Sequence, residues 1–456
     1  MLRLVGLLVS AMVLGLLSFA VAQPYTVCPS GCPFTKIQAA LDAANEGDTI
    51  TVGPGVYREN LKITKSLSLS GADPAQVRLL PGGPAYALVQ IGEESTLKTV
   101  RIEGFTLQQA AGLVRESIYV DVATAIQNFA FRNNRVLNRE EQDWMASFAG
   151  DEVIVEKNVF SSNSTLEIEG RQIRLINNDL WLVRVNPSWG DTDTEALVEG
   201  NIFREEGVLV SGNTVVRKNQ FRSAGVGIDV GGRPTIEFVQ VLENEFIGPG
   251  ILRFTDPFRL TDAITVGNSG DRVLIEGNKI ANYDVGIVIK GSWQPSPEIV
   301  IRKNSISQGL RGIWLQEQQR IPTTIQILEN TIDRQQLPSS SQAVIGAGAG
   351  VWVDLWIEQV EVLVQGNILR LGDFGVLLMP GSGKFEFQGN TITDNDLFGV
   401  LLAVPPCGEI VDPAKVQVTG SGNNISNNGK RLKPEEKQVG DGEGNVCPKE
   451  LMSLKR

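Results

Sequence analysis

Apolar and polar residues alternate in short runs along most of the chain, and each run leads into an asparagine. Residues 273–290, VLIEGNKIANYDVGIVIK, show the unit: an alternating run, Asn278, a second short run, and a glycine eight residues after the asparagine. Residues 299–316, IVIRKNSISQGLRGIWLQ, repeat this unit around Asn304. Alternation places successive side chains on opposite faces of an extended chain, so these runs predict β-strands rather than helices.

The unit recurs from about residue 98 onward, with 18 to 37 residues between successive asparagines. Such a spacing predicts a solenoid with three short strands per turn, each paired in parallel with its equivalent one turn along. Some fourteen turns, about 4.8 Å apart, would form a rod of roughly 65 Å. The recurring asparagines are Asn134, Asn158, Asn178, Asn201, Asn219, Asn244, Asn278, Asn304, Asn330, Asn367, Asn390 and the pair Asn423–Asn424.

The asparagine at each turn is interpreted as structural rather than catalytic. Asparagine tolerates the left-handed backbone of a tight bend better than most residues, and its side chain bonds locally. If the asparagines stack from turn to turn, their amides can also bond to one another and so satisfy buried polar groups.

The N-terminal residues 1–22 are typical of a secretory signal. Arg3 precedes an apolar run, and Ala20-Val21-Ala22 provides a small-residue cleavage site. A retained membrane anchor is the alternative. Either way the chain is expected to be secreted, periplasmic or exposed at the cell surface.

The four cysteines are therefore expected to form disulfides. Two of them, Cys28 and Cys32, lie near the start of the chain, whereas Cys407 and Cys447 lie near its end. The ends of a long rod cannot approach within disulfide reach, so the pairs Cys28–Cys32 and Cys407–Cys447 are favoured. Free or intermolecular thiols remain the alternative.

The amino-acid composition restricts the catalytic groups, metal sites and partners that the protein can have. The chain has no histidine, which excludes Ser-His and Cys-His catalysis and histidine-based metal sites. Its net charge of −11 argues against nucleic acid and other anionic polymers as partners. No cofactor is expected. Residues 191–195 and 441–445 begin like calcium loops but lack the later acidic ligand, so they give only a weak indication of calcium.

Residues 33–428 resemble the right-handed parallel β-helix proteins of the pectin-lyase-like class. The resemblance rests on the repeat and on the entry segment PFTKIQAALDAANEGDTITVGPGVYREN. It implies an all-β, single-stranded, right-handed parallel β-helix whose open end is capped by a helix over about Thr35–Ala44. The expected organisation is a signal peptide (1–22), an N-terminal cap (23–48), the β-helix (49–428) and a polar tail (429–456).

In that family the strand that begins with the glycine lines the binding groove. The resemblance places it at 227–230, 286–290, 312–316, 350–354, 375–379 and 399–403, with 262–266 between the first two. Its outward row would be Asp229, Thr265, Val288, Trp314, Trp352, Leu377 and Leu401. Trp314 and Trp352 then form an exposed platform for sugar rings, with Asp354 beside it. The alternative is that both indoles pack beneath adjacent loops.

Candidate catalytic residues near this row are Asp229, Asp284, Lys290 and Arg311, although solvated surface charges are the simpler interpretation. The polygalacturonase and pectinesterase motifs are absent. The favoured hypothesis is a protein that binds polysaccharide along the groove. The alternatives are a lyase or glycoside hydrolase of unrecognised type, and a structural surface protein without a ligand. Oligomeric state is left open.

Overall fold

The chain forms a parallel β-solenoid with three strands per turn, as the computed structural model shows. The structure describes residues 25–92, 96–109, 114–120, 125–137, 146–161, 165–187, 194–222, 225–231, 238–250, 260–267, 272–290, 298–316, 323–335, 348–354, 360–378, 382–402 and 416–429. In each turn, the strand before the asparagine belongs to what we call the first sheet. The strand after the asparagine belongs to the second sheet, and the strand that contains the glycine belongs to the third sheet.

The first sheet contains the alternating runs that lead into the asparagines. Its strands are Tyr25–Val27, Thr49–Val52, Leu67–Gly71, Thr96–Glu103, Ala125–Arg132, Ala146–Glu156, Thr165–Ile176, Glu195–Glu199, Thr214–Arg217, Val239–Leu242, Arg272–Glu276, Glu298–Arg302, Thr323–Leu328, Val360–Gln365, Gly383–Gln388 and Val416–Ser421. Two of them, Ala146–Glu156 and Thr165–Ile176, are long enough to run through the third sheet as well.

The second sheet consists of short strands, fifteen within the described ranges. They are Gly55–Arg58, Val77–Leu80, Thr106–Gln108, Arg135–Leu137, Val159–Phe160, Asp179–Leu180, Ile202–Phe203, Gln220–Phe221, Glu245–Ile247, Lys279–Ala281, Ser305–Ser307, Thr331–Asp333, Ile368–Arg370, Thr391–Thr393 and Asn424–Ser426.

The third sheet carries the candidate site. Besides the two long strands, it contains Leu61–Ile63, Ala85–Ile91, Val114–Val120, Leu182–Pro187, Val208–Val210, Ile228–Val230, Asp262–Val266, Val285–Lys290, Arg311–Gln316, Ala349–Val353, Phe374–Leu378 and Phe398–Leu402. The predicted glycine strands are therefore present to within about one residue at each end.

One continuous apolar core runs inside the coil. Inward aliphatic side chains from all three sheets stack along it, and aromatic rings stack in line where the second sheet supplies them. The rings of Phe203, Phe221 and Phe246, on consecutive turns, lie parallel with centroids 4.7 and 4.6 Å apart. Because each strand is too short to form a stable sheet alone, burial shared between turns supplies most of the stabilisation.

The asparagines form an uninterrupted ladder of twelve side chains from Asn134 to Asn423, nearly all of them buried. Each asparagine donates its backbone N–H to Oδ1 of the next asparagine at 2.8–3.0 Å. Its Nδ2 donates to the same oxygen at 2.8–3.3 Å, and also to a main-chain carbonyl of the preceding turn. The ladder therefore satisfies the polar groups that a sharp bend would leave buried and unpaired.

The expectation that the asparagine itself takes the left-handed backbone is wrong. Several turns have a left-handed residue four positions after the ladder asparagine, such as Gln308 with φ of 59°. The residue that is left-handed in every turn of the ladder, however, is the one directly before the asparagine, such as Lys303 with φ of 55° or Gly277 with φ of 69°. The reason is geometric. The left-handed residue turns the chain, and the next residue then directs its amide into the coil, where the ladder lies.

The N-terminal end holds the α-helix Ile37–Ala43, whose Ile37, Ala40 and Leu41 are buried. The Glu59 carboxylate accepts the N–H groups of Ile37 and Gln38 at 2.9 and 3.0 Å, and Lys65 donates to carbonyls at the helix C-terminus. These contacts satisfy main-chain groups that a helix leaves free at its ends.

Upstream of the helix, the predicted cap segment adds the strand Tyr25–Val27 to the first sheet, and Cys28 is disulfide-bonded to Cys32. The predicted signal peptide, Cys407, Cys447 and residues 430–456 lie outside the described residues.

Candidate functional site

The third sheet presents two rows of side chains away from the core. The register aligns Asp229, Thr265, Val288, Trp314, Trp352, Leu377 and Leu401 on consecutive turns, as the alternation predicts. The second row, three residues earlier in each strand, contains Asp262, Val285, Arg311, Ala349, Phe374 and Phe398. We call the surface formed by both rows the third-sheet face. It is acidic at one end, cationic and aromatic in the middle, and apolar at the other end.

The aromatic part centres on Trp314 and Trp352. Their rings are stacked, with centroids 4.9 Å apart and planes 8° from parallel. The guanidinium carbon of Arg311 lies 4.4 Å from the ring centroid of Trp314 and 4.5 Å from that of Trp352. These distances are within the range of a cation–π interaction.

The prediction that both indoles are exposed is wrong for Trp352, which is only 5% exposed. Trp352 packs in a second apolar cluster, separate from the core, with Ala349, Phe374, Leu377, Phe398 and Leu401. Trp314 is partly exposed and packs against this cluster. Trp352 thus points away from the core and yet is buried, because outward side chains on adjacent turns cover it.

The acidic part centres on Asp229 and Asp262. Asp262 Oδ2 lies 3.8 Å from the ammonium group of half-exposed Lys290 and 3.2 Å from the Thr265 hydroxyl, which donates to it. Burial raises the pKa of Asp262 to about 6, and Lys290 opposes that shift. Burial also raises the pKa of Asp229, and the positive charge of Lys290 again opposes the rise. Two carboxyl groups on adjacent turns therefore share one ammonium group.

Asp284 and Arg311 are buried, so the interpretation of both as solvated surface charges is wrong. Asp284 is 1% exposed, and its Oδ2 accepts hydrogen bonds from the main-chain N–H and the hydroxyl of Thr261, each at 3.0 Å. This places Asp284 as a link between turns, below the surface of the third-sheet face. Its position cannot be recognised from the strand pattern, because it precedes the strand.

Burial lowers the pKa of Arg311 to about 10, and the carboxylates of Asp354, Asp262 and Asp284 oppose that shift. Three acidic groups from different turns thus act electrostatically on the buried cation. Predicted residues Asp229, Asp284, Lys290, Arg311, Trp314, Trp352 and Asp354 therefore do converge on one stretch of the third sheet.

Sequence reasoning missed Asp262. Its strand, DAITV, has Ala263 where the other turns have glycine, so the usual motif does not mark it. The signal that could have found it is the register, since Asp262 occupies the row that contains Arg311 two turns later.

Asp262→Asn is expected to stabilise the protein by as much as about 3 kcal/mol near pH 8 and to have little effect near pH 4. The folded-state pKa of about 6 lies above that of the unfolded chain. The folded state thus binds the proton more tightly, and this stabilisation, complete below the unfolded pKa, is lost as pH rises through about 6. Denaturant unfolding at both pH values measures it, with exposed Asp151→Asn as the control. An equal effect at both pH values would contradict the prediction.

Among the described residues, no group of three or more acidic or cysteine side chains is placed to hold a metal ion. Both weakly indicated calcium segments lie wholly or mainly outside those residues. Residues 291–297, 317–322 and 403–415, which follow third-sheet strands in the sequence, also lie outside the described residues. No helix in the described ranges has the length and apolar character needed to cross a membrane.

A family model described as a right-handed β-helix region matches residues 207–362 and 261–432. The chain is a right-handed parallel β-helix protein. No curated protein sequence matches this β-helix protein.

Several solved structures resemble this β-helix protein at low identity. The catalytic unit of a thermostable GH87 α-1,3-glucanase from Streptomyces thermodiastaticus strain HF3-3 is 16% identical, with a TM-score of 0.38 over 89% of this chain and 70% of the other. The catalytic domain of a GH87 α-1,3-glucanase in complex with nigerose is also 16% identical, with a TM-score of 0.39 over 88% and 69%. An alginate lyase from Paenibacillus sp. str. FPU-7 is 12% identical, with a TM-score of 0.18 over 85% and 96%. Similarity at this level bears on neither substrate nor mechanism.

Proposed function

We propose that this protein is exported, acts outside the cytoplasm or at the cell surface, and binds an uncharged polysaccharide along the third-sheet face. The observation that carries the proposal is the partly exposed ring of Trp314, which stacks on Trp352 and lies against the guanidinium group of buried Arg311. A fixed aromatic ring offers a large contact area at little cost in conformational entropy.

Charge favours an uncharged polymer over a polyuronate. The third-sheet face carries Asp229 and Asp262, with Asp354 beside Trp352, and the whole chain has a net charge of −11. Lys290 and Arg311 are already close to these carboxylates. A polyanion would meet repulsion with no free cation in the described part of the site to offset it.

A second candidate function, cleavage of the bound polymer, rests on Asp262 and Asp229. A buried carboxyl group with a pKa of about 6 is partly protonated near neutral pH and suits proton donation. The neighbouring Asp229 is less buried and lies one turn away. Release of new reducing ends or unsaturated sugars, abolished by Asp262→Asn, would favour cleavage. A wild-type protein that binds but releases neither would exclude it.

Trp314→Ala is expected to weaken binding of neutral polysaccharide at least about tenfold, which corresponds to the loss of one well-packed aromatic contact. Isothermal titration calorimetry against gluco-, xylo- and mannan-derived oligosaccharides measures the effect, with polygalacturonate as the charged comparison.

Val56→Ala provides a matched control, since Val56 is an exposed apolar residue on the second sheet. Thermal unfolding checks that the Trp314 variant stays folded. Failure of wild type to bind any of these carbohydrates would overturn the proposal and favour a structural surface role. Tighter binding of polygalacturonate would overturn the choice of an uncharged ligand.

A further inference from the structure

The third sheet has a second aromatic cluster nearer the N-terminus, formed by Tyr86, Glu116 and Tyr119, which we call the tyrosine cluster. The two rings meet edge to face with centroids 4.9 Å apart. The Tyr86 hydroxyl donates a hydrogen bond to Glu116 Oε1 at 2.7 Å. Tyr86 is 46% exposed, whereas Glu116 is 5% exposed. A buried carboxylate thus fixes an exposed aromatic ring.

The tyrosine cluster repeats the arrangement around Trp314. Glu116 precedes Tyr119 by three residues, as Arg311 precedes Trp314, and in each pair the charged residue is buried. Tyr119 and Trp314 also lie in one outward row. The register connects them through Ser147, Glu167, Arg184, Leu209, Asp229, Thr265 and Val288.

The row between the two clusters is continuous in the register and mostly polar. Tyr119 and Trp314 are eight turns apart in the register, which corresponds to about 38 Å. Beside the row, Ser211 Oγ donates to Asn186 Oδ1 at 3.1 Å, and Asn186 Nδ2 reaches Glu167 Oε1 at 3.5 Å. These side chains present donors and acceptors suited to hydroxyl groups. The stretch of the third sheet from Tyr119 to Trp314 thus has an aromatic contact at each end and mostly polar side chains between.

We propose that the tyrosine cluster is a distal binding site for the same uncharged polysaccharide, so that one chain lying parallel to the rod contacts both clusters. This inference rests on the proposed function. Two contacts on one ligand act together once the ligand spans them, because the second binding step becomes intramolecular. Affinity should therefore rise sharply with ligand length.

The test compares ligand lengths in wild type and in a Tyr86→Ala/Tyr119→Ala variant. The probes are purified neutral oligosaccharides of the series that wild type binds, from disaccharides to oligomers longer than about 38 Å. Wild type is expected to bind the longest oligomers at least about a hundredfold more tightly than the disaccharide. In the double variant, the ratio of the affinity for the longest oligomers to the affinity for the disaccharide should fall at least about tenfold, while disaccharide binding at Trp314 stays unchanged.

Tyr86→Phe is the matched control, because it keeps the ring and removes only the hydrogen bond to Glu116. It should retain most of the length dependence, and thermal unfolding checks that each variant is folded. Equal length dependence in wild type and the double alanine variant would overturn the distal site. If the length dependence is equal but Trp314→Ala still weakens polysaccharide binding, the proposed function stands and only the distal site is excluded. No binding by wild type would overturn both.

Discussion

Asn304→Ala is expected to lower the free energy of unfolding by about 3–6 kcal/mol, the largest effect of any single substitution considered for this β-helix. Asn304 Oδ1 accepts hydrogen bonds from the main-chain N–H and the Nδ2 of Asn278, at 3.0 and 2.9 Å. Its Nδ2 donates to the Ile275 carbonyl and to Asn330 Oδ1, at 2.9 and 3.0 Å. Alanine leaves several of these buried groups unpaired, each at a cost of about 1–3 kcal/mol.

Equilibrium unfolding in urea measures this loss, and hydrogen exchange at the Asn278 amide locates it. Asn424→Ala is the matched control, because Asn424 is exposed and directly follows the last ladder residue, Asn423. The control should change stability by less than about 1 kcal/mol. A comparable loss in both variants would contradict the structural role of the ladder.

Arg311→Leu is expected to destabilise the protein by about 3–5 kcal/mol near neutral pH, and by much less under acidic conditions. Arg311 is 3% exposed, and the carboxylates of Asp354, Asp262 and Asp284 favour its charged form electrostatically. Leucine preserves much of the packing against the two indoles but removes the positive charge. Buried carboxylates then lack their cation, so their charged forms become costly.

Because protonation removes that cost, the destabilisation should shrink as pH falls through the raised pKa of Asp262. The double variant Arg311→Leu/Asp262→Asn should recover part of the loss at neutral pH. Denaturant unfolding of wild type, both single variants and the double variant gives the coupling between the two residues. Additive effects, or a loss independent of pH, would show that Arg311 acts through packing alone.

Most of the fold could be predicted from alternation and spacing, because a parallel solenoid repeats the same local geometry at every turn. The strand Arg311–Gln316 was expected at 312–316, and Trp314 was expected beside Trp352. Period-two alternation fixes which side chains point away from the core, and stacking then fixes their order along the rod.

The chemical character of the site was less predictable. Alternation shows that Trp352 points outward, yet it cannot show that Phe374 and Leu377 on the next turn cover it. The left-handed position was also hidden, since lysine, glutamate, asparagine and glycine all occupy it. Both properties depend on contacts between turns, which one repeat viewed alone does not contain.

The asparagine ladder also has a direction. From Asn134 to Asn390, the backbone N–H and the Nδ2 of each asparagine donate to Oδ1 of the C-terminal neighbour, whereas the Nδ2 of the last asparagine, Asn423, donates to the Phe387 carbonyl of the preceding turn. A whole turn, from one asparagine to the next, can therefore be added or removed while each donor still meets an equivalent acceptor. Adding or removing part of a turn would leave donors of the ladder without an equivalent acceptor. The length of the molecule is thus adjustable only in integral steps, and any surface that runs along it changes reach by the same increment.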